Sequence, residues 1–229
     1  MSSFRSRRQF VGVMPLVGAA VLGGTQSLLA QRKEKEQEEE VSTNEDLMRE
    51  HGILKRVLLV YDELIRRIRA RQDFAPQAVI DGAMIIRKFI EEYHEKLEEE
   101  HLFPRFRKAG KLVELVETLF EQHQAGRRVT ARVLATAQSL KTQEDRNRLA
   151  NDLEMFNRMY APHEAREDTV LFPALHSIVS PHEYDAMGEQ FEGIERKTFA
   201  GDGFDIYLEK VTVLEKQLGI YDLNQFTPK

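Results

Sequence analysis

The chain has 229 residues, a formal net charge of −5 and a hydrophobic content of 41%. This size and composition suit one globular domain with a proper core, and the acidic balance argues against nucleic acid as a partner. The sequence contains no cysteine, so neither a disulfide framework nor lipid attachment through cysteine is available.

The first thirty residues have the composition of an export signal. Arg7 and Arg8 precede Phe10 and a weakly hydrophobic, glycine-rich stretch at residues 11–30. Residues 1–30 thereby resemble a twin-arginine signal peptide, which implies the twin-arginine export machinery as a partner, cleavage after Ala30 and a periplasmic location. We expect no membrane association after cleavage. An uncleaved anchor is the alternative, because about twenty apolar residues could just span a bilayer.

A charged linker is predicted at residues 31–42. Its first ten residues are a run of lysine, arginine, glutamine and glutamate without an apolar side chain. Such a run is typical of a solvated tether, or of an extension of the helix that follows.

Four long segments between residues 43 and 175 have apolar residues at helical spacing. Helix-boundary signals separate the segments, at Ser42 to Glu45, Pro76, Gly110, and Thr142 to Asp145. Short loops force neighbouring helices to run antiparallel, so we predict an all-α, up-down-up-down four-helix bundle over 43–175. Ser180 begins a fifth predicted helix and residues 204–218 form a sixth. The C-terminal extension, 176–229, is expected to pack outside the bundle.

A duplicated motif runs through these four segments. His94 and Glu98 stand four positions apart and are followed by Leu-Phe-Pro, and His163 and Glu167 repeat the pattern with the same tail. On a helix this spacing places both side chains of each pair on one face. Upstream of each pair, a histidine is followed after three residues by two basic residues and a valine; these histidines are His51 and His123.

The repeated histidines and glutamates predict a metal site, because buried polar groups at one level of a bundle need partners. If a pseudo-twofold axis relates the halves, one ion takes two histidines, the second ion takes the other two, and both glutamates bridge. Mixed imidazole and carboxylate ligands with an open position favour iron, or manganese, over a closed zinc site. The candidate ligands are His51, His94, Glu98, His123, His163 and Glu167. A lone buried histidine is more often a hydrogen-bonded core residue, so the prediction depends on the matched set.

This set of residues resembles the hemerythrin-like, or HHE cation-binding, domains. The resemblance covers residues 43–175 and implies a non-haem di-iron centre with an oxo or hydroxo bridge, which binds dioxygen, nitric oxide or peroxide. Oxygen-carrying hemerythrins have a His-x-x-x-His pair on the third helix and a final aspartate ligand. Here Arg127 stands four residues after His123, and the last carboxylate is Glu167. The chain is therefore closer to the broader HHE group than to a five-histidine oxygen carrier.

The favoured function is storage, scavenging or sensing of a small diatomic ligand or peroxide. The alternative is a di-iron oxidoreductase that acts on peroxide or a small organic substrate, and a helical interaction module with structural histidines is the third possibility. The bundle fold cannot choose among them. No fused redox or output domain is recognisable beside the predicted bundle, which disfavours both signalling within the chain and a self-contained electron supply. We favour a binding protein over an enzyme.

Other polar residues lie near the motif. His101, three positions after Glu98, is expected to face the bundle interior, either as a hydrogen-bond partner of Glu98 or as a seventh ligand. Four further glutamates are expected on a solvated face: Glu95, Glu99, Glu100 and Glu164. For Glu95, the alternative is a role as an additional metal ligand. His176 and His182 are expected at the surface, and Phe103 and Phe172 are expected to serve packing.

Overall fold

Six helices and one short 3₁₀ turn make up residues 41–228, which are the residues described by this computed structural model. The turn is Leu223–Phe226, and no strand occurs among the described residues. The helices are α1 (Thr43–Arg69), α2 (76–109), α3 (Val113–Gln138), α4 (143–175), α5 (Pro181–Phe199) and α6 (Gly203–Leu218). The predicted all-α class is confirmed.

The first four helices form the predicted up-down-up-down bundle. Helix α1 packs against α2 and α4, and α3 packs against the same two helices on the other side. The apolar faces meet in a core whose largest fully buried side chains are aromatic, among them Tyr61, Phe89, Phe106 and Phe156. Full burial of one such side chain stabilises the fold by roughly 1.5–3 kcal/mol, so the core holds the four helices at fixed positions.

Several predicted helix boundaries are confirmed. Thr142 and Asp145 form a reciprocal capping box at the start of α4, and Ser180 and Glu183 form another at the start of α5. Gly110 ends α2 with φ of 64°, a left-handed conformation that glycine adopts without the steric penalty of a Cβ.

The two C-terminal helices pack outside the bundle, as expected. Helix α6 contacts α1 and α2, and α5 contacts α1. Aromatic side chains connect these two helices to α2. Phe89 on α2 stacks on Tyr207 of α6, with 4.8 Å between ring centroids, and Tyr93 on α2 contacts Phe199 of α5 edge-on, with 5.1 Å between centroids. The outer helices therefore cover apolar surface of α2 close to its His-x-x-x-Glu segment.

Helices α2 and α4 contain π-helical segments beside the repeated motif. These segments are Ile86–His94 and Glu98–Leu102 in α2, and Glu167–Leu171 in α4. The segments that begin at the two glutamates end one residue before Phe-Pro. A proline cannot donate its backbone nitrogen and clashes with the carbonyl four residues earlier, and a widened turn relieves that clash. Such π turns are rare and occur frequently at functional sites.

The predicted signal peptide and most of the charged linker lie outside the described residues. Within residues 41–228, no helix has both the length and the apolar content that crossing a bilayer requires.

Candidate metal centre

The six side chains singled out in the sequence meet inside the bundle. The first and third helices supply one histidine each, and the second and fourth supply a histidine and a glutamate each. All six are buried, with at most 3% of the residue surface exposed: His51, His94, Glu98, His123, His163 and Glu167.

The histidines form two pairs in which ring nitrogens face each other. The Nε2 atoms of His51 and His94 are 2.9 Å apart, and those of His123 and His163 are 3.2 Å apart. Each pair joins helices that are consecutive in the chain, α1 with α2 and α3 with α4. The structure therefore reproduces the two halves of the sequence repeat as two matching histidine pairs.

Each glutamate lies between the two pairs. Glu98 has Oε1 at 3.8 Å from His94 Nε2 and Oε2 at 3.4 Å from His123 Nε2. Glu167 has Oε2 at 3.4 Å from His51 Nε2 and at 3.1 Å from His163 Nε2. Each carboxylate thus contacts one histidine from each pair, which is the position that a bridging ligand requires.

The opposite ring nitrogen of every histidine has its own partner. These Nδ1 contacts are His51 with Asp168 at 2.7 Å, His94 with Glu50 at 2.6 Å, His123 with Glu99 at 3.2 Å, and His163 with Gln122 at 2.8 Å. All four partner atoms are oxygens, so Nδ1 is the protonated donor in each case. In the neutral ring Nε2 then carries the lone pair, and all four Nε2 atoms point into the shared space, as ligand nitrogens do.

This donor set fits metal ions. All four carboxylate oxygens of Glu98 and Glu167 are buried without a hydrogen-bond partner, a costly state unless a cation is present. Two ligand atoms at right angles, each about 2.1 Å from an ion, lie about 3 Å apart, close to the spacing within each histidine pair. Of the three groups of side chains that could hold an ion among the described residues, two consist of these ligands: His51 with His94 and Glu98, and His123 with His163 and Glu167.

Burial changes the acid–base properties of these groups. It lowers the pKa of His94 to about 4, so this imidazole is neutral near pH 7. Burial, together with the carboxylates of Glu167 and Glu95, raises the pKa of Glu98 well above its usual range. A cation between the glutamates would remove the cause of that rise, because it stabilises both carboxylates in their charged form.

The prediction that four glutamates form a solvated face is wrong for Glu95 and Glu164, which are each 1% exposed. Of the four, only Glu100 is exposed. Arg127 Nη2 lies 2.6 Å from Glu95 and 2.7 Å from the half-buried Glu99. These carboxylates can be buried because a cation from α3 reaches them.

Arg127 also affects whether a third group of side chains could bind a metal ion. Glu95, Glu99 and His123 lie close enough together to hold an ion, but the Arg127 guanidinium already supplies positive charge to both carboxylates. Tyr160 donates a hydrogen bond to Glu95 Oε1 at 2.6 Å. Glu95 is therefore engaged on both oxygens by protein groups.

The expectation for His101 is wrong. Its ring is half-buried and packs against Phe191 of α5, with 5.4 Å between centroids, and neither oxygen of Glu98 has a hydrogen-bond partner. The π turn at Glu98–Leu102 explains the difference, because each turn there takes more residues than in an α-helix. A residue three positions after Glu98 is consequently turned away from the interior.

The other predictions for nearby aromatic residues hold. His176 and His182 are exposed. Phe172 stacks on His51 at 5.4 Å, and Phe103 stacks on His123 at 5.5 Å. The duplicated Leu-Phe-Pro tails thus supply one buried ring that packs on a histidine in each half.

The outer partners of the histidines were not predicted from the sequence. Glu50 and Gln122 immediately precede His51 and His123, and Asp168 immediately follows Glu167. The only feature of the sequence that could have indicated this role is that each residue stands next to a motif residue. Many other polar residues also stand beside the motif, so adjacency alone did not distinguish these three.

Comparisons with known proteins identify the family of this chain. The family model of the hemerythrin HHE cation binding domain matches residues 42–175, with a second, overlapping match at 114–218. Proteins described as uncharacterized in two strains of Mycobacterium tuberculosis and in Mycobacterium bovis are 51% identical over 195 residues, covering 84% of this chain and 76% of each relative. No solved structure matches significantly. The chain is a member of the hemerythrin HHE cation-binding domain family.

Proposed function

We propose that this protein binds two iron ions in the bundle and uses them to bind a small molecule, namely dioxygen, nitric oxide or peroxide, for storage, scavenging or sensing. The observation that carries the proposal is the set of four converging Nε2 atoms beside four carboxylate oxygens that have no hydrogen-bond partner. His51 and His94 would hold one ion and His123 and His163 the other. Glu98 and Glu167 would bridge them.

Iron is the proposed metal because imidazole and carboxylate ligands together suit it, whereas the absence of thiolates disfavours a structural zinc site; manganese is compatible with the same ligands. Bound iron would supply reversible redox and ligand-binding chemistry. The protein's contribution is to orient the four histidines through their Nδ1 partners, so that each Nε2 faces the site, and to hold both glutamates in place before any ion arrives.

Burial favours a small ligand over an organic substrate. The six proposed ligands are at most 3% exposed, and the rings of Phe103 and Phe172 pack directly on two of the histidines. Buried ligands flanked by packed rings favour a molecule of a few atoms over a larger organic substrate.

The first prediction concerns metal content. Protein purified under reducing, iron-replete conditions should contain two irons per chain by elemental analysis. Glu98→Ala should lose both, because this carboxylate contacts one histidine of each pair, and Glu100→Ala, an exposed neighbour, should retain both. A parent value near one or zero, or full occupancy in Glu98→Ala, contradicts the proposed centre.

Small-molecule binding is tested on the same preparation. Nitric oxide, dioxygen or peroxide is added to the reduced, iron-loaded protein, and absorption spectra and ligand consumption are followed together. Formation of one stable adduct per centre supports a binding role. Sustained consumption of peroxide over many turnovers would instead assign an oxidoreductase.

A further inference from the structure

The outer partners of the histidines differ between the two histidine pairs. For the pair His51 and His94, both Nδ1 partners are carboxylates, from Asp168 and Glu50. For the pair His123 and His163, one partner is a carboxylate, from Glu99, and the other is the neutral amide of Gln122. Glu50 and Gln122 occupy the same position of the repeat, directly before the first histidine of each half.

Neighbouring cations increase this difference. Glu99 accepts from His123 at 3.2 Å, but it also lies 2.7 Å from Arg127 and 2.5 Å from Lys96. Its negative charge is therefore shared among three positive or donating groups. Asp168, which occupies the equivalent position of the repeat, contacts His51 of the other pair at 2.7 Å and has Lys55 only at 3.9 Å.

A carboxylate on Nδ1 makes an imidazole a stronger ligand. It withdraws the Nδ1 proton toward itself, which raises the electron density on Nε2, and such partners typically change metal affinity by about 10- to 100-fold. An amide oxygen fixes the same tautomer but attracts the proton less, because it has no formal charge.

Given the proposed two-metal centre, we infer that the two metal positions are unequal and that Glu50 and Gln122 set the inequality. The position at His51 and His94 binds iron more tightly and fills first. The position at His123 and His163 binds iron more weakly and empties first. Glu50 and Gln122 are positioning residues that act through His94 and His163.

The test is an anaerobic titration of the metal-free full chain with ferrous iron in the presence of a coloured competing chelator, which yields two stepwise binding constants. We expect constants that differ by about 10- to 100-fold. Gln122→Glu should strengthen the weaker step by about 10-fold, and Glu50→Gln should weaken the tighter step by a similar factor. The two substitutions change the charge in opposite directions, so a folding defect in one leaves the other informative.

Two sets of controls complete the experiment. Gln124→Glu adds the same charge two positions along α3, where helical geometry turns it away from His163, and should leave both constants unchanged. His163→Ala should keep the tighter step, whereas His51→Ala should lose it. Circular dichroism verifies that each variant is folded.

The outcomes separate this inference from the proposed function. Stepwise constants in the parent that differ by no more than the statistical factor for two identical sites, or a ratio that neither Gln122→Glu nor Glu50→Gln changes, would overturn the inequality while leaving the two-metal centre intact. Failure of the parent to bind two irons would overturn the centre itself, and the inference with it.

Discussion

Gly126 gives the aromatic ring of Tyr160 the space it needs beside the candidate centre. A Cβ at Gly126 would lie 2.1 Å from the Tyr160 hydroxyl and 2.8 Å from its ring carbons. That hydroxyl donates to Glu95, which also pairs with Arg127. A glycine within α3 costs helix stability, and here it permits a close approach between α3 and α4 that supports the ionic network.

The corresponding prediction compares two glycines. Gly126→Ala should lower the free energy of unfolding by about 1–3 kcal/mol, the usual cost of overpacking a core, because Tyr160 is fully buried and cannot move aside. Gly52→Ala, on α1 beside His51, meets no atom within 4 Å and should stabilise the protein by up to about 1 kcal/mol. Urea denaturation of the metal-free protein measures both. Stabilisation by Gly126→Ala would show that the contact with Tyr160 is not tight.

At the scale of single residues, the sequence predicted the set of buried histidines and glutamates but not what surrounds it. The repeat identified His51 and His123 because each stands at the same distance from a basic pair and a valine. It did not identify Glu95 as buried, because a run of glutamates is usually solvated. Its burial depends on Arg127 reaching it from another helix, a contact that no local pattern encodes.

At the scale of helices, the four helical segments and their caps could be predicted from the apolar spacing and from proline, glycine and capping residues. The π segments could not be predicted, because the apolar spacing of α2 and α4 is that of an ordinary α-helix up to Phe-Pro. The wider turn at Glu98–Leu102 directs His101 outward, and this is why an α-helical projection placed that histidine in the interior. The prolines that follow each π segment were visible in the sequence, but their effect on register was not.

The attachment of α6 to the bundle depends on a partly buried ion pair as well as on apolar contacts. Arg56 on α1 donates through Nε to Glu215 at 2.9 Å, makes a second bond to the same carboxylate through Nη2, and reaches Thr212 at 2.7 Å. Glu215 is 6% exposed. Removal of one partner would leave a charge in a site with little water.

We therefore predict that Arg56→Met and Glu215→Met each lower the free energy of unfolding by about 1.5–3 kcal/mol. The double variant should be less destabilised than the sum of the two, because neither charge then remains without its partner. Lys88→Met, which removes an exposed pair with Glu92, should change stability by less than about 1 kcal/mol. Additive effects of the two buried substitutions would show that the pair does not couple α6 to α1.

At the scale of the whole molecule, the candidate centre exists only in the folded chain. Its ligands come from four helices, and His51 and Glu167 are brought together from opposite ends of the bundle sequence. An export route that carries folded proteins would allow the metal to be inserted before transport. We propose on this basis that residues 1–30, with Arg7 and Arg8, direct the folded protein to the periplasm through the twin-arginine machinery.

The last prediction tests this proposal in a bacterial host that has the twin-arginine translocase. Arg7→Lys combined with Arg8→Lys should retain the full-length precursor in the cytoplasm, because the paired arginines are the feature that such a signal presents. The metal content of the retained protein should equal that of the parent, since both substitutions lie outside the helices that carry the candidate ligands. Arg5→Lys is the matched control and should be exported normally. Delivery of the double variant to the periplasm, or normal export of the parent in a strain without the translocase, would exclude the twin-arginine route.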